Sequence, residues 1–303
     1  MASRSMRLVA AALLVGATAG FTFGQTSARS GVAPRLRQRP ALMVADKVES
    51  IDPEPDFYPS TLPSGDALDK KIAALAFPAI ASFLILPIAS ATDLFWVGRM
   101  GEALAIAGQA SANQLFSTLS WVTSTIPTIT VPRVAKARAA KDDAAVQEAL
   151  GEAIFISTVL GVICTVALWR FQKPALLGLG NPLAITFAMA YSFGRIPGVV
   201  AESLSLVGFA ACRGVMDTVT PLKISLASNL INVILDPLLI FYANMGILGA
   251  GLATAASQLF SAATYLTLLL RRGLVRWTNI LKVPSRASLV SLATAGAKYT
   301  VYV

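Results

Sequence analysis

The chain has 303 residues, of which 55% are hydrophobic and only 14% charged, with a mean hydropathy of +0.66. An ordinary soluble domain carries about 25% charged residues, so lipid is the solvent in which to read this sequence. A net charge of +9 would suggest a nucleic-acid partner in a soluble protein, but here the basic residues stand between apolar runs, and membrane topology explains them better. The two cysteines sit in or at the end of apolar runs and histidine is absent, so neither a disulfide framework nor a Cys/His metal site is indicated.

Taken in chain order, residues 1–45 predict a removable address. Arg4 and Arg7 precede the short apolar stretch LVAAALLV and then small residues, a secretory-signal pattern too short to span. Phe21 to Ala45 follows with several arginines and no acid, as transit peptides do. Together they resemble the bipartite presequences of algae whose plastids derive from a second endosymbiosis; a plain secretory signal with a basic tail is the alternative. Residues 46–70 turn acidic and proline-rich, which suits an extended linker.

Residues 71–286 alternate apolar runs with short polar breaks, and about twenty apolar residues suffice to cross a bilayer core. The expected fold is an all-α polytopic membrane protein with six spans, near 72–96, 104–130, 150–169, 184–211, 222–242 and 247–270. A seventh begins in residues 287–303. Lys70, Lys71, Arg133, Lys136, Arg138, Lys141, Arg213, Lys223, Arg271, Arg272, Arg276, Lys282 and Arg286 fall on one side of this arrangement, which the positive-inside rule assigns to the cytosol or stroma.

At about 1.5 Å per residue that orientation gives depths. Asp236 lies about 21 Å along the fifth span, Asp93 near the outer end of the first, and Thr254 about 10 Å below the outer surface in the sixth. Three polar groups from three spans thus share one depth. Asn229, Asn232 and Asp236 are spaced three and four apart and share a helical face, tolerated only toward a bundle interior or cavity. Taken singly, the plainer readings stay open: Asp236 capping a break at Pro237, the asparagines as interhelical glue, Asp93 in the interface beside Arg99. Arg195 and Glu202 are seven apart on one face, and mutual neutralisation or snorkelling is their expected role.

Three segments carry a resemblance. FPAIASFLILPIASATDLFWVGRMG (77–101), RGVMDTVTPLKISLASNLINVILDPLLIF (213–241) and GILGAGLATAASQLFSA (246–262) resemble the first, fifth and sixth transmembrane segments of the multidrug and toxic compound extrusion (MATE) family. The DinF-like branch with plastid members is the nearest in pattern. The resemblance implies the six-helix N-terminal lobe of a transporter that exchanges H+ or Na+ for a small organic solute or xenobiotic. It implies a cation site of Asp93, Asn232, Asp236 and Thr254, a bending first helix at Pro78, and no cofactor beyond the coupling ion. Such a protein is not an enzyme, and no catalytic constellation stands at one depth. The family has about twelve spans, so the expectation is an incomplete copy, or a half that pairs with a second lobe. A lipid-type flippase of the same superfamily and a structural half-transporter are the alternative functions. The expected location is a plastid envelope or thylakoid membrane, with another endomembrane or the plasma membrane as the alternative.

Overall fold

A computed structural model of the chain describes residues 67–180 and 182–280. The presequence, most of the linker and the seventh segment lie outside the described residues. The chain divides into two compact units, Met1–Ile72 and Ala73–Val303; the packing that follows, from Ala73 onward, belongs to the second.

Every described element is helical. α1 runs from Ala67 to Gly98, so it begins inside the expected linker. α2 spans Ala103–Thr123 and α3 Thr125–Ala139. α4 covers Asp143–Leu179, entered through Asp142, whose side chain accepts from the Ala145 N–H at 2.9 Å. A 3-10 turn at Pro182–Ala184 leads into α5, Ile185–Arg195. A second 3-10 turn, Ile196–Gly198, separates α5 from α6, Val199–Gly214. α7 is Val219–Pro237 and runs into a π turn at Leu238–Tyr242. α8 is Ile247–Arg271, and a short α9 occupies Trp277–Ile280.

Five of these stretches are long and apolar enough to cross a membrane: Asp69–Gly98, Asp143–Leu179, Pro182–Gly214, Val219–Tyr242 and Ile247–Arg271. The second expected span instead forms as α2 and α3, broken at Ser124. Pro127 and Pro132 follow that break, and neither can give an N–H to the preceding turn. The fourth expected span breaks at Pro197 for the same reason. The third is longer than expected, because the polar turn from Asp143 to Gly151 continues the same helix.

The bundle closes around α8, which packs against α5, α6 and α7, while α4 packs against α2, α3 and α6. Close approach of α5 and α8 depends on glycine. A Cβ at Gly194 would stand 2.5 Å from the Leu248 carbonyl, and one at Gly251 would strike that of Tyr191. On the basic side, Arg133 of α3 pairs with buried Glu152 of α4 at 2.8 Å, and Gln147 donates to the Gly273 carbonyl at 2.9 Å. α1 is held differently. Phe83 meets Phe209 edge-on at 6.2 Å, Arg213 lies over both rings, and Trp96 meets Phe241 at 6.3 Å. Its other side, Ile80, Leu84, Ile88 and Phe95, is an apolar face left exposed.

Candidate cation site

α7 is placed from its start. In the loop R-G-x-x-D-T-x-T-P-L, Asp217 accepts from the Thr220 N–H at 3.0 Å and the Thr220 hydroxyl at 2.6 Å, capping the helix. Arg272, just past α8, donates to the same carboxylate at 2.6 Å and to the Thr220 hydroxyl oxygen at 3.1 Å. Partial burial alone would raise the Asp217 pKa; the bonds from Thr220 and the Arg272 guanidinium outweigh it and hold it below the usual value. The loop therefore ties the start of α7 to the end of α8.

Near the other end of α7 stands Asp236, fully buried, with Asn232 one turn before it at 3% exposure. Pro237 has no N–H to give to the carbonyl of Val233, and the chain goes on as the π turn. Such turns recur where a helix must present a side chain in an irregular place. Asn229, further from the break, donates to its own helix at the Ser225 carbonyl, 2.7 Å away. It plays the local role.

The structure brings Asp93 of α1 to Asp236. Their carboxyl groups lie within hydrogen-bonding reach of each other. Among the described residues no donor reaches either oxygen of Asp236 or Oδ1 of Asp93, and the amide nitrogen of Asn232 has no acceptor. Two ionised carboxylates can only accept, so the contact becomes a hydrogen bond only when one of them carries a proton. A buried acceptor without a donor costs about 1 to 3 kcal/mol, and more when charged. A proton or a small monovalent cation between the two would remove that cost, so the donor set fits either.

Thr254 is half-buried on α8, and its hydroxyl donates to the Ala250 carbonyl at 3.0 Å. Among the described residues no hydrogen bond joins it to Asp93 or Asp236, although its helix packs on α7. Pro78 lies within α1, whose helix continues through it, and Ser82 donates to the Pro78 carbonyl at 2.8 Å. A second proline, Pro87, stands in the same helix only six residues before Asp93; the hydropathy pattern drew no attention to it.

Arg195 and Glu202 do pair, at 3.6 Å across the α5–α6 break, with the Arg195 side chain half-buried at 16% exposure. Sequence spacing did not reveal what surrounds them. Ser120 donates to Glu202 Oε1 at 2.6 Å, Gln258 to Oε2 at 2.9 Å, and Arg195 donates to Asn113 at 2.8 Å. Those partners come from α2 and α8, and a lone amide or hydroxyl in an apolar helix carries no mark of what it faces.

A family model described as MatE matches residues 78–238, more than half of the chain. The chain belongs to the MATE family. Among curated proteins it is similar to DETOXIFICATION 43 of Arabidopsis thaliana, 27% identical over 257 residues, covering 65% of this chain and 49% of that one. DETOXIFICATION 44, chloroplastic, of the same plant is 29% identical over 237 residues, covering 73% of this chain and 44% of that one. A crystal structure of MATE in the bent conformation shares its fold, at TM-score 0.67 and 21% identity, over 75% of this chain and 51% of the other. A Vibrio cholerae MATE transporter in the bent form does so at TM-score 0.67 and 21% identity, over 77% and 54%. This MATE chain spans about half the length of the relatives it matches.

Proposed function

We propose that the chain is the cation-binding lobe of an antiporter that exports small organic solutes or xenobiotics in exchange for H+ or Na+. The observation that carries this reading is the contact between half-buried Asp93 and fully buried Asp236, in which, among the described residues, no donor reaches either oxygen of Asp236 or Oδ1 of Asp93. A structural pair would have acquired an arginine, a lysine or neutral donors, because an unpaired intramembrane carboxylate costs about 2.5 to 3.5 kcal/mol. Asn232, one turn from Asp236, supplies a carbonyl that a cation could use, and Thr254 supplies the lone pairs its hydroxyl keeps free.

Neutralising the pair changes the charge borne by α1, a helix with two missing backbone hydrogen bonds, at Pro78 and Pro87, and an uncovered apolar face. That face suits a second lobe, and the greater length of the relatives supports such a partner. Plastid delivery by residues 1–45 is supported by the chloroplastic designation of two Arabidopsis relatives.

The test is efflux of a fluorescent organic cation such as ethidium from proteoliposomes under an imposed H+ or Na+ gradient. The chain is assayed alone and joined to a second lobe from a MATE relative. Gradient-driven efflux in either form that is lost in Asp236→Asn supports the reading. Absence of efflux from both forms, or equal efflux by Asp236→Asn, refutes it.

A further inference from the structure

Two spans of the lobe are broken, and both breaks lie beside one cleft. The second expected span stops at Ser124, where α2 ends, and the fourth at Ile196–Gly198, just before α6 begins. The cleft is walled by the end of α2, from Phe116 to Thr123, by the start of α6, from Val199 to Ser203, and by Cys164 of α4. Breaks in spanning helices are places where transporters hold ions and solutes.

The hydroxyls on these walls face the cleft as acceptors. Thr123 gives its proton to the Ser120 carbonyl at 3.1 Å, and Ser203 gives its own to the Val199 carbonyl at 3.1 Å. Ser120 has a single proton, and its 2.6 Å contact to Glu202 Oε1 is shorter than the 3.0 Å one to the Phe116 carbonyl. With those protons committed, the three hydroxyls keep only lone pairs to offer. Glu202 adds a carboxylate whose oxygens are served unequally. Among the described residues, Oε2 accepts from Gln258 at 2.9 Å and has Arg195 at 3.6 Å, whereas Oε1 has Ser120 alone. An ionised carboxylate has about four lone-pair positions, so Oε1 keeps one to spare.

A carboxylate with hydroxyl lone pairs, and no O–H left to donate, suits a hard cation. Size decides which kind. The accessible volume is about 10 Å³, near the least that admits one water molecule. An organic cation does not fit, and a bare Na+ does. Arg195 stands behind Oε2 and lessens the attraction, which makes the site weak and exchangeable.

We propose that this cleft is a second site for a monovalent cation of Na+ size, held by Glu202 Oε1 and the hydroxyl oxygens of Ser120, Thr123 and Ser203. It is separate from the Asp93–Asp236 pair, since its walls come from α2, α4 and α6 and the pair stands on α1 and α7. A cation there bridges α2 to α6 beside both breaks, and so holds the broken spans together.

Thermal melting of the purified full chain in lipid nanodiscs tests this at fixed pH, with NaCl replaced stepwise by choline chloride at constant ionic strength. Asp236→Asn is the background, because it removes the other proposed Na+ site; should it not fold, Asp93→Asn takes its place. Na+ should raise the melting midpoint by about 3 °C or more, as a ligand that binds only the folded chain does. Thr123→Val and Ser203→Ala should each raise the Na+ concentration of half effect about tenfold, the loss expected when one oxygen no longer meets a charge. Glu202→Gln should abolish the rise. A background chain that melts alike in Na+ and choline overturns the proposal and leaves the cleft to water. A Na+ effect that Thr123→Val and Ser203→Ala leave unchanged overturns it too, placing the ion elsewhere. Where Glu202→Gln or Ser203→Ala does not fold, the nearly isosteric Thr123→Val decides alone. The proposal can fail while Asp236→Asn still loses gradient-driven efflux, and stand if that efflux is kept, so the two sites are judged separately.

Discussion

Replacing Asp236 with asparagine should stabilise the lobe while removing the proposed cation site. Among the described residues of the wild-type chain, both carboxyl oxygens of Asp236 are buried without a donor, beside another carboxyl group. Asparagine is nearly isosteric, carries no charge, and brings an amide N–H that Asp93 can accept. Relief of one unsatisfied buried acceptor is worth about 1 to 3 kcal/mol. At about 2 to 4 °C of melting midpoint per kcal/mol for a chain of this size, the gain is several degrees. The assay is intrinsic tryptophan fluorescence during heating of the detergent-solubilised chain at the most alkaline pH it tolerates, where a carboxyl pair is least protonated. Stabilisation should shrink as the pH is lowered, because a proton then bridges the wild-type pair. An Asp236→Asn variant that melts with or below wild type at alkaline pH would show that the buried pair is already satisfied, and the reasoning from its orphaned oxygens would be wrong.

Three further outcomes follow from other parts of the fold. Asp217→Ala removes the cap of α7 and the partner of Arg272, and should lower stability by about 0.5 to 2 kcal/mol, measured by thermal melting. Because the Asp217 pKa is depressed in the folded chain, its stabilisation is present above the unfolded value of about 3.9 and lost as the pH falls through the folded value, so wild type and Asp217→Ala should converge in strong acid. Gly251→Ala forces a methyl group onto the Tyr191 carbonyl at the α5–α8 contact and should cost about 1 to 3 kcal/mol, whereas the same change at Gly178, where a Cβ meets nothing within 4 Å among the described residues, should be nearly silent. Pro78→Ala restores a backbone donor in α1 and should slow gradient-driven efflux more than it weakens cation loading; equal loss of both would argue against a hinge.

How much of this was legible in the sequence depends on the kind of signal. Asp93 and Asp236 could be brought to one depth because each lies in a long apolar run whose direction the basic loops fix, and the structure places their carboxyl groups together. The same arithmetic put Thr254 at that depth, but depth says nothing of rotation or of a hydroxyl that can bond its own helix, as Thr254 does at Ala250. Span limits were legible only where hydropathy and helix end together. They part company at Asp143–Gly151, where a polar first turn continues into an apolar helix, and at Ser124 and Pro197, where apolar sequence runs across a helix break. The pairing of Arg195 with Glu202 followed from their spacing, while Asn113, Ser120 and Gln258 did not, since they converge from helices remote in sequence.

The central claim is that a cation is held between Asp93 and Asp236. Infrared difference spectroscopy of the purified chain in nanodiscs, titrated with acid in the absence of Na+, tests it most directly. The account predicts a protonated carboxyl band that grows with acid, is displaced by added Na+ if that ion shares the site, and disappears in both Asp93→Asn and Asp236→Asn. A band that survives both substitutions unchanged would place the titrating carboxyl elsewhere and contradict the account.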